Sequence, residues 1–361
     1  MLEQFRQMLN DCIRIGLAEN VTSLKSLSLK AYKQLSRYDV ASYYKLCAIS
    51  AATGILRNYR KAKRRNPYVK EPYARRLRLT TCYGFKVRDG GLLLPTDTKE
   101  HIWIPLISHV QAAIAGFMVR SVTLTEDRVS LAYAKDTEEV QPQGFIGIDR
   151  NLDNVTVAMS DALLKRFDLS EATQTKAIYR QVRSHFKRND VRIRRLISGK
   201  YGRKQRERVQ QILHHASKLI VEEAKAKQNG IAMEKLTGIR RLYRRGNWQG
   251  RWYRGRMNSW SYAELQRQIE YKAKWEGLPV IYVHPRGTSS KCSICGEDMK
   301  PEENRMLRCH SCGYAVDRDV NAAKNILAAG TLRFGAVGLA GEAMVAASAT
   351  LRESAQSMRG S

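Results

Sequence analysis

Along the first part of the chain, apolar side chains recur at every third or fourth position. Phe5, Met8, Leu9, Cys12 and Ile13 make one stripe, Leu24, Leu27, Ala31 and Leu35 a second, and Tyr44, Cys47, Ala51 and Ile55 a third. This spacing puts each stripe on one face of a helix, so three helices are expected between about Leu2 and Lys63. Pro67 and Pro72 stop the third, because proline lacks an amide hydrogen and locks its own backbone. From about Leu79 to Asp136 the period shortens to two. Ile102, Ile104 and Leu106 alternate in HIWIPL, and Val122, Leu124, Val129 and Leu131 flank Glu126-Asp127 as in a hairpin. A small antiparallel β-barrel is expected here.

The polar segment TEEVQPQ, with Pro142, reads as a domain boundary. Beyond it the short apolar runs FIGID, GIAMEKL and LPVIYV alternate with helical stretches, among them a helix around Tyr262 to Trp275. Buried strands alternating with helices predict an α/β domain with a mixed sheet. No uncharged apolar run is long enough to cross a bilayer, and the opening MLEQFRQMLN lacks the basic-then-apolar order of a secretory signal. A cytoplasmic location is expected, with nucleoid association when the protein is on DNA.

Charge changes the picture. The 361 residues carry a formal net charge of +29, while a hydrophobic fraction of 43% fits a folded protein. Such an excess repels itself unless a polyanion screens it, which points to nucleic acid first and an anionic membrane second. The positive charge is clustered. One run spans Arg57 to Arg78 and includes Arg64 and Arg65; another spans Lys176 to Arg208. The third, RRLYRRGNWQGRWYRGRMNSW, has no acid. In it Arg240, Arg241, Arg244, Arg245, Arg251 and Arg254 are candidates for phosphate contacts, and Trp248 and Trp252 for stacking on unpaired bases. Trp260 is expected to pack inward. The alternative is a solvated basic loop built round core tryptophans.

Cys12, Cys47 and Cys82 stand singly and read as small buried hydrophobes. The other four form Cys292-x-x-Cys295 and Cys309-x-x-Cys312, with Gly296 and Gly313 directly after each pair. Two such knuckles supply four soft ligands, which suits a closed tetrahedral zinc site of structural type.

Three acids stand where charge is costly. Asp149 ends FIGID, Glu234 lies within IAMEKL, and Asp319 lies in DRDVNAAKNIL at the first turn of an expected helix. Acids from separate elements that converge repel one another unless divalent cations neutralise them, and such a cluster can hydrolyse a phosphodiester. Physics alone also allows a turn former, an N-cap at Asp317 or Asp319, and a salt bridge at Glu234.

GIDRN, then AMEKL, then a four-cysteine ribbon opened by RGTSSKCSICG and closed before DRDVNAAKNI: this order resembles the split RuvC nuclease of the TnpB family, a relative of type V CRISPR effectors. SYAELQRQIEYKAKWEGLPVIYV resembles the segment ahead of the ribbon, and the likeness is close over about residues 144 to 327. It implies an RNase H-like (RuvC) domain with an inserted zinc ribbon, preceded by a helical bundle and the small β-barrel. The implied parts are a helical recognition-like region over 1–78, a wedge-like barrel over 79–140, the nuclease domain over 141–286 and again over 317–330, the ribbon over 287–316, and a flexible tail over 331–361. The resemblance further implies RNA-guided cleavage of target DNA, with a guide from the element's own end. Asp149, Glu234 and Asp319 would hold catalytic Mg²⁺, with two ions expected, and the four cysteines structural Zn²⁺. Asp319 is preferred over Asp317 because it begins the D-x-N pattern. Motif one reads Asp149-Arg150-Asn151, where many members carry a small or apolar residue and then glycine. The bulk of Arg150 is expected to bear on substrate or metal access, or to meet a phosphate. A binding protein that no longer cuts and an unguided RuvC-type nuclease would use the same residues.

Overall fold

The computed structural model describes residues 1–96, 100–186, 190–244 and 248–335, which belong to two compact units, Met1–Asp136 and the chain from Thr137 onward. No helix among them is long and apolar enough to cross a membrane.

In the first unit the three stripes fold as α1 (Leu2–Ala18), α2 (Leu24–Ala31) and α3 (Ser42–Arg65). Ser23 caps α2 by accepting the Ser26 amide at 3.1 Å. Met8, Cys12, Leu27, Leu35, Tyr44, Ile49 and Leu56 are buried between the helices. β1 (Arg78–Thr81) adds Leu79 to this same core. Then follow β2 (Lys86–Arg88), β3 (Gly91–Pro95), β4 (His101–Pro105), α4 (Ser108–Ile114), β5 (Met118–Thr125) and β6 (Val129–Ala134). The hairpin forms around Glu126-Asp127, but the expected barrel does not close. Among the described residues the strands make two separate sheets, β1-β5-β6 and β2-β3-β4, which share a cluster of Leu92, Leu94 and Val122. Closure would need a continuous ladder from edge to edge. Instead β1 is drawn onto the helical core, and a left-handed Gly84 breaks the chain before β2. Of the single cysteines, Cys12 is buried, Cys47 half-buried and Cys82 exposed.

The second unit is built on β7 (Gly144–Arg150), β8 (Asn154–Met159), β9 (Leu164–Asp168), α5 (Ser170–Ser184), α6 (Val191–Ala226), β10 (Asn229–Glu234), α7 (Arg251–Met257), α8 (Tyr262–Trp275) and β11 (Val280–Val283). After these come β12 (Met299–Pro301), β13 (Met306–Cys309), β14 (Ala315–Asp317) and α9 (residues 318–335). The main sheet has the order β9-β8-β7-β10-β11; the β7–β10 and β10–β11 pairs are parallel, and the β7–β8 and β8–β9 pairs are antiparallel. Ile146, Ile148, Ile231 and Met233 point to one face, where α5, α6 and α8 cover them. Phe145 and Ala232, one step away along the strands, point to the other face and meet α9 through Ile326 and Leu327.

Gly147 sets how closely α9 approaches. A Cβ there would lie 2.2 Å from the Ala323 carbonyl oxygen and 2.4 Å from the Leu327 amide nitrogen. Both are helix backbone, so the helix itself would have to move. Gly147→Ala is expected to cost about 1–3 kcal/mol as an overpacked core. Gly199→Ala, in α6 with open space around it, is expected to be neutral or to stabilise by up to about 1 kcal/mol. Paired thermal melts check the contrast; equal melting temperatures would contradict this account of Gly147.

Candidate functional site

The parity of the sheet brings the first two acids together. Ile148 of β7 pairs with Met233 of the parallel β10, so Asp149 and Glu234 are the next step of the same ladder. Ile148 and Met233 face the α5–α6–α8 core, which leaves Asp149 and Glu234 on the α9 face. α9 crosses that face against the direction of β7. The Phe334 ring lies 5.2 Å from Phe145, the middle of the helix rides on Gly147, and the first turn, with Asp319, reaches the end of β7. Asp317 accepts the amides of Asp319 at 2.8 Å and Val320 at 3.2 Å. It is therefore the N-cap, and the Asp319 side chain is left for the sheet.

Asp149 and Asp319 are both buried. Burial first, then the charges of Glu234 and Asp319, raise Asp149 from the ordinary 3.8 to about 7, against a hydrogen bond from Asn151. Each acid has a polar partner. Asn151 Nδ2 donates to Asp149 Oδ2 at 2.8 Å, and Thr288 Oγ1 donates to Glu234 Oε1 at 2.5 Å. Arg305 pairs with Asp319 Oδ1, while Arg166 lies 3.9 Å from Oδ2 and 2.9 Å from Asp317. As hard oxygen donors the three acids suit Mg²⁺ by type, but among the described residues only the four cysteines bring their ligand atoms close together as one group, and Asp319 is engaged by Arg305.

Arg150 does not face solvent. Its guanidinium is buried, donating to the Glu234 carbonyl, to Gln266 Oε1 at 2.7 Å and to the Tyr262 carbonyl. It thus ties the end of β7 to the end of β10 and to α8, and burial lowers its pKa. β7 leaves no solvent face at this position, so the expectation of a phosphate contact is corrected.

The four cysteine sulfurs all lie within 4.8 Å of one another, with Cys292 and Cys312 at 3.7 Å and Cys295 and Cys309 at 3.4 Å. This fits a tetrahedral thiolate site. Backbone amides of Cys312 and Ser311 hold the Cys309 thiol down, to about 7. Gly296 and Gly313 take the left-handed conformation that each knuckle needs.

In the arginine-rich stretch Arg240, Arg241, Arg244, Arg251, Trp248 and Trp252 are exposed, whereas Arg254 is half-buried and donates to the Gln249 carbonyl. The Arg256 guanidinium sits 5.7 Å from the Trp252 ring. Arg240 lines a groove of about 550 Å³ with Lys176, Arg183, Arg206 and Trp260. Tyr243 is buried, whereas Trp260 is half-buried with its indole N–H turned to the Asn151 carbonyl. Arg245, like Lys187 and Arg188 of the middle run, lies outside the described residues. Arg64 and Arg65 are exposed in the last turn of α3. Sequence reasoning gave no role to Asn151, Thr288, Arg166 or Arg305. An Asn two residues after a buried acid was the available signal for the first, because Asn side chains bond nearby groups in turns; Arg166 had none.

The family model described as Cas12f1-like, TNB domain matches residues 262–326, which take in the four cysteines and Asp319. The TnpB-like protein MJ0751 of Methanocaldococcus jannaschii is 32% identical over 261 residues, covering 67% of this chain and 91% of that protein. The CRISPR-associated endodeoxyribonuclease Cas12f1 of Sulfoacidibacillus thermotolerans is 36% identical over 116 residues, 31% of this chain and 25% of that protein. Among solved structures, that of the Cas12f1-sgRNA-target DNA complex aligns with a TM-score of 0.61 at 15% identity, covering 90% of this chain and 80% of that one. At that identity the likeness is one of fold.

Proposed function

The chain belongs to the TnpB family, and on that premise we propose that it is an RNA-guided, metal-dependent DNA endonuclease of a transposable element. The observation that carries the reading is that ladder register puts Asp149 and Glu234 on the α9 face, while Asp319 begins the closely seated α9 and its charge is felt at Asp149. The sheet order, with one parallel and one antiparallel half around β7, supports an RNase H-like (RuvC) domain, and the cysteine cluster supports an inserted zinc ribbon.

Asp149, Glu234 and Asp319 would hold Mg²⁺, which when bound activates water and stabilises the leaving oxygen of a phosphodiester. Arg150 keeps the two strand ends at fixed separation, so Asp149 and Glu234 stay in register. Thr288, at the entry to the ribbon, holds the Glu234 carboxylate. Asn321 of α9 donates to the Lys291 carbonyl at 2.7 Å and accepts the Ser293 amide at 3.0 Å, so ribbon and Asp319 helix are tied together. The exposed arginines and tryptophans of residues 240–254 would bind phosphates and stack on the bases of an unpaired strand. The net charge of +29 suits a guide RNA, drawn from the element's own end, that screens it. Base pairing would select the target.

The test is to express the protein with its flanking DNA, sequence the RNA that copurifies, and offer the complex a DNA matching the guide. Cleavage that needs both RNA and Mg²⁺ is the expected result. Cutting that survives removal of all RNA would point to an unguided nuclease. Binding without cutting under any divalent cation would point to a protein that only binds.

A further inference from the structure

The arginine-rich segment and the acid cluster are joined through one short turn. Asn151 is the first residue past β7, and its side chain donates to Asp149. Its backbone is held at both ends. The Asn151 amide donates to the Asn154 carbonyl at 2.9 Å, and the Asn151 carbonyl accepts the indole N–H of Trp260 at 2.7 Å. Trp260 closes the segment that carries the exposed arginines and tryptophans, and it is itself anchored. Its ring lies 4.9 Å from that of Tyr262, and Lys176 Nζ binds the Ser259 carbonyl at 2.5 Å and the Ser261 hydroxyl. A second strap joins the same pieces, from Arg256 Nη2 to Asp153 Oδ2 at 3.0 Å.

An inward-facing indole N–H finds a partner as a rule, and here the partner is the backbone of the residue that holds Asp149, 109 positions away. A carboxylate at a strand end, in turn, keeps a broad terminal torsion unless a donor sets it. We propose that Asn151 and Trp260 are positioning residues: Trp260 fixes the backbone of Asn151, and Asn151 fixes the Asp149 carboxylate for a divalent cation. The inference rests on the reading of Asp149 as a cation ligand. It also means that the segment proposed to hold nucleic acid is mechanically continuous with the cation site.

The test uses Mn²⁺ as the probe, titrated into the full-length zinc-containing protein, with free Mn²⁺ read by electron paramagnetic resonance. Losing the partner that orients a ligand typically costs about 10- to 100-fold in metal affinity, and Asn151→Ala is expected to fall in that range. Trp260→Phe, which keeps an aromatic side chain but loses the N–H and part of the indole's bulk, is expected to weaken Mn²⁺ binding less. The double variant should bind as weakly as Asn151→Ala alone, because Trp260 acts through Asn151. In cleavage, kcat should drop for both with KM for DNA unchanged. Wild-type Mn²⁺ affinity in Trp260→Phe, or full additivity in the double variant, would overturn the proposal. Trp260→Phe keeps an aromatic ring against Tyr262, so it decides the matter even if Asn151→Ala folds poorly; Asn151→Ser is the second variant at that position. Asp149→Ala serves as the control. If it binds Mn²⁺ like the wild type, the cation-site reading itself falls. If it loses the ion while the other variants keep it, only the positioning role falls.

Discussion

Asp149→Asn protein is expected to melt above the wild type at neutral pH and to have lost DNA cleavage. The two effects have one cause. In the fold the carboxyl is buried beside Glu234 and Asp319 and keeps its proton up to about pH 7, whereas in the unfolded chain it gives the proton up near the ordinary 3.8. Between those values unfolding releases a proton, so this group's contribution to stability falls as pH rises, and above about 7 the fold bears the whole cost of a buried, repelled charge. A shift of that size corresponds to at most about 4 kcal/mol. Asn keeps the shape and removes the charge. The gain in melting temperature should therefore be largest above pH 7, shrink on acidification and vanish near pH 4. Mg²⁺ should raise the melting temperature of the wild type at neutral pH and do little for the variant, since a cation neutralises the same charge. Loss of a ligand from the cation site should cost several kcal/mol of transition-state stabilisation, about 10³-fold or more in rate. Thermal melts across pH, with and without Mg²⁺, check the first part and guided cleavage the second. A variant less stable than wild type at neutral pH would contradict the electrostatic account.

The second large effect is expected from zinc. The apolar core of the cysteine ribbon is small: Cys292, Met299, Leu307 and Cys309, with Tyr314 and Val316 against them. The sheet β12-β13-β14 has only short strands. So few contacts do not offset the entropy of ordering the segment, and metal binding becomes folding free energy. Cys309→Ser, or removal of zinc by a chelator, should unfold the ribbon. The damage should spread. Asn321 and Asn325 of α9 bond the Lys291 carbonyl at 2.7 Å, and Thr288 at the ribbon's entry holds Glu234. The acid cluster then loses its support although no cysteine touches it. Zinc content should be one ion per chain. Cleavage by chelated protein should stay lost when Mg²⁺ alone is returned and recover when Zn²⁺ is returned as well. Recovery with Mg²⁺ alone would remove the structural role.

Local pattern determined much of this protein. Helical periodicity marks α1, α2 and α3, because each stripe is a local property of the chain and its core lies beneath it. The apolar runs mark β7, β10 and β11 because parallel strands covered on both faces have no polar side to alternate with. The two knuckles are legible because zinc ligation demands particular residue types at close spacing; the three acids stand out as charges in buried runs, but only the family resemblance gives them a shared role. Other features depended on partners distant in sequence. β9 reads LKRFD, a polar edge strand without a periodic signal, and it forms because β8 offers a ladder. The barrel stayed open: β1 carries Leu79 into the helical core, and the strands divide into two separate sheets. Arg150 looks like a surface cation in the sequence, yet three carbonyl-type acceptors from two other elements surround it inside the fold. The bond from Trp260 to Asn151 spans loops whose meeting no local rule specifies. Side-chain type and period thus decide which elements form and which residues carry chemistry. The tertiary structure alone decides which donors reach which acids, because those contacts exist only once the sheet and its helices are assembled.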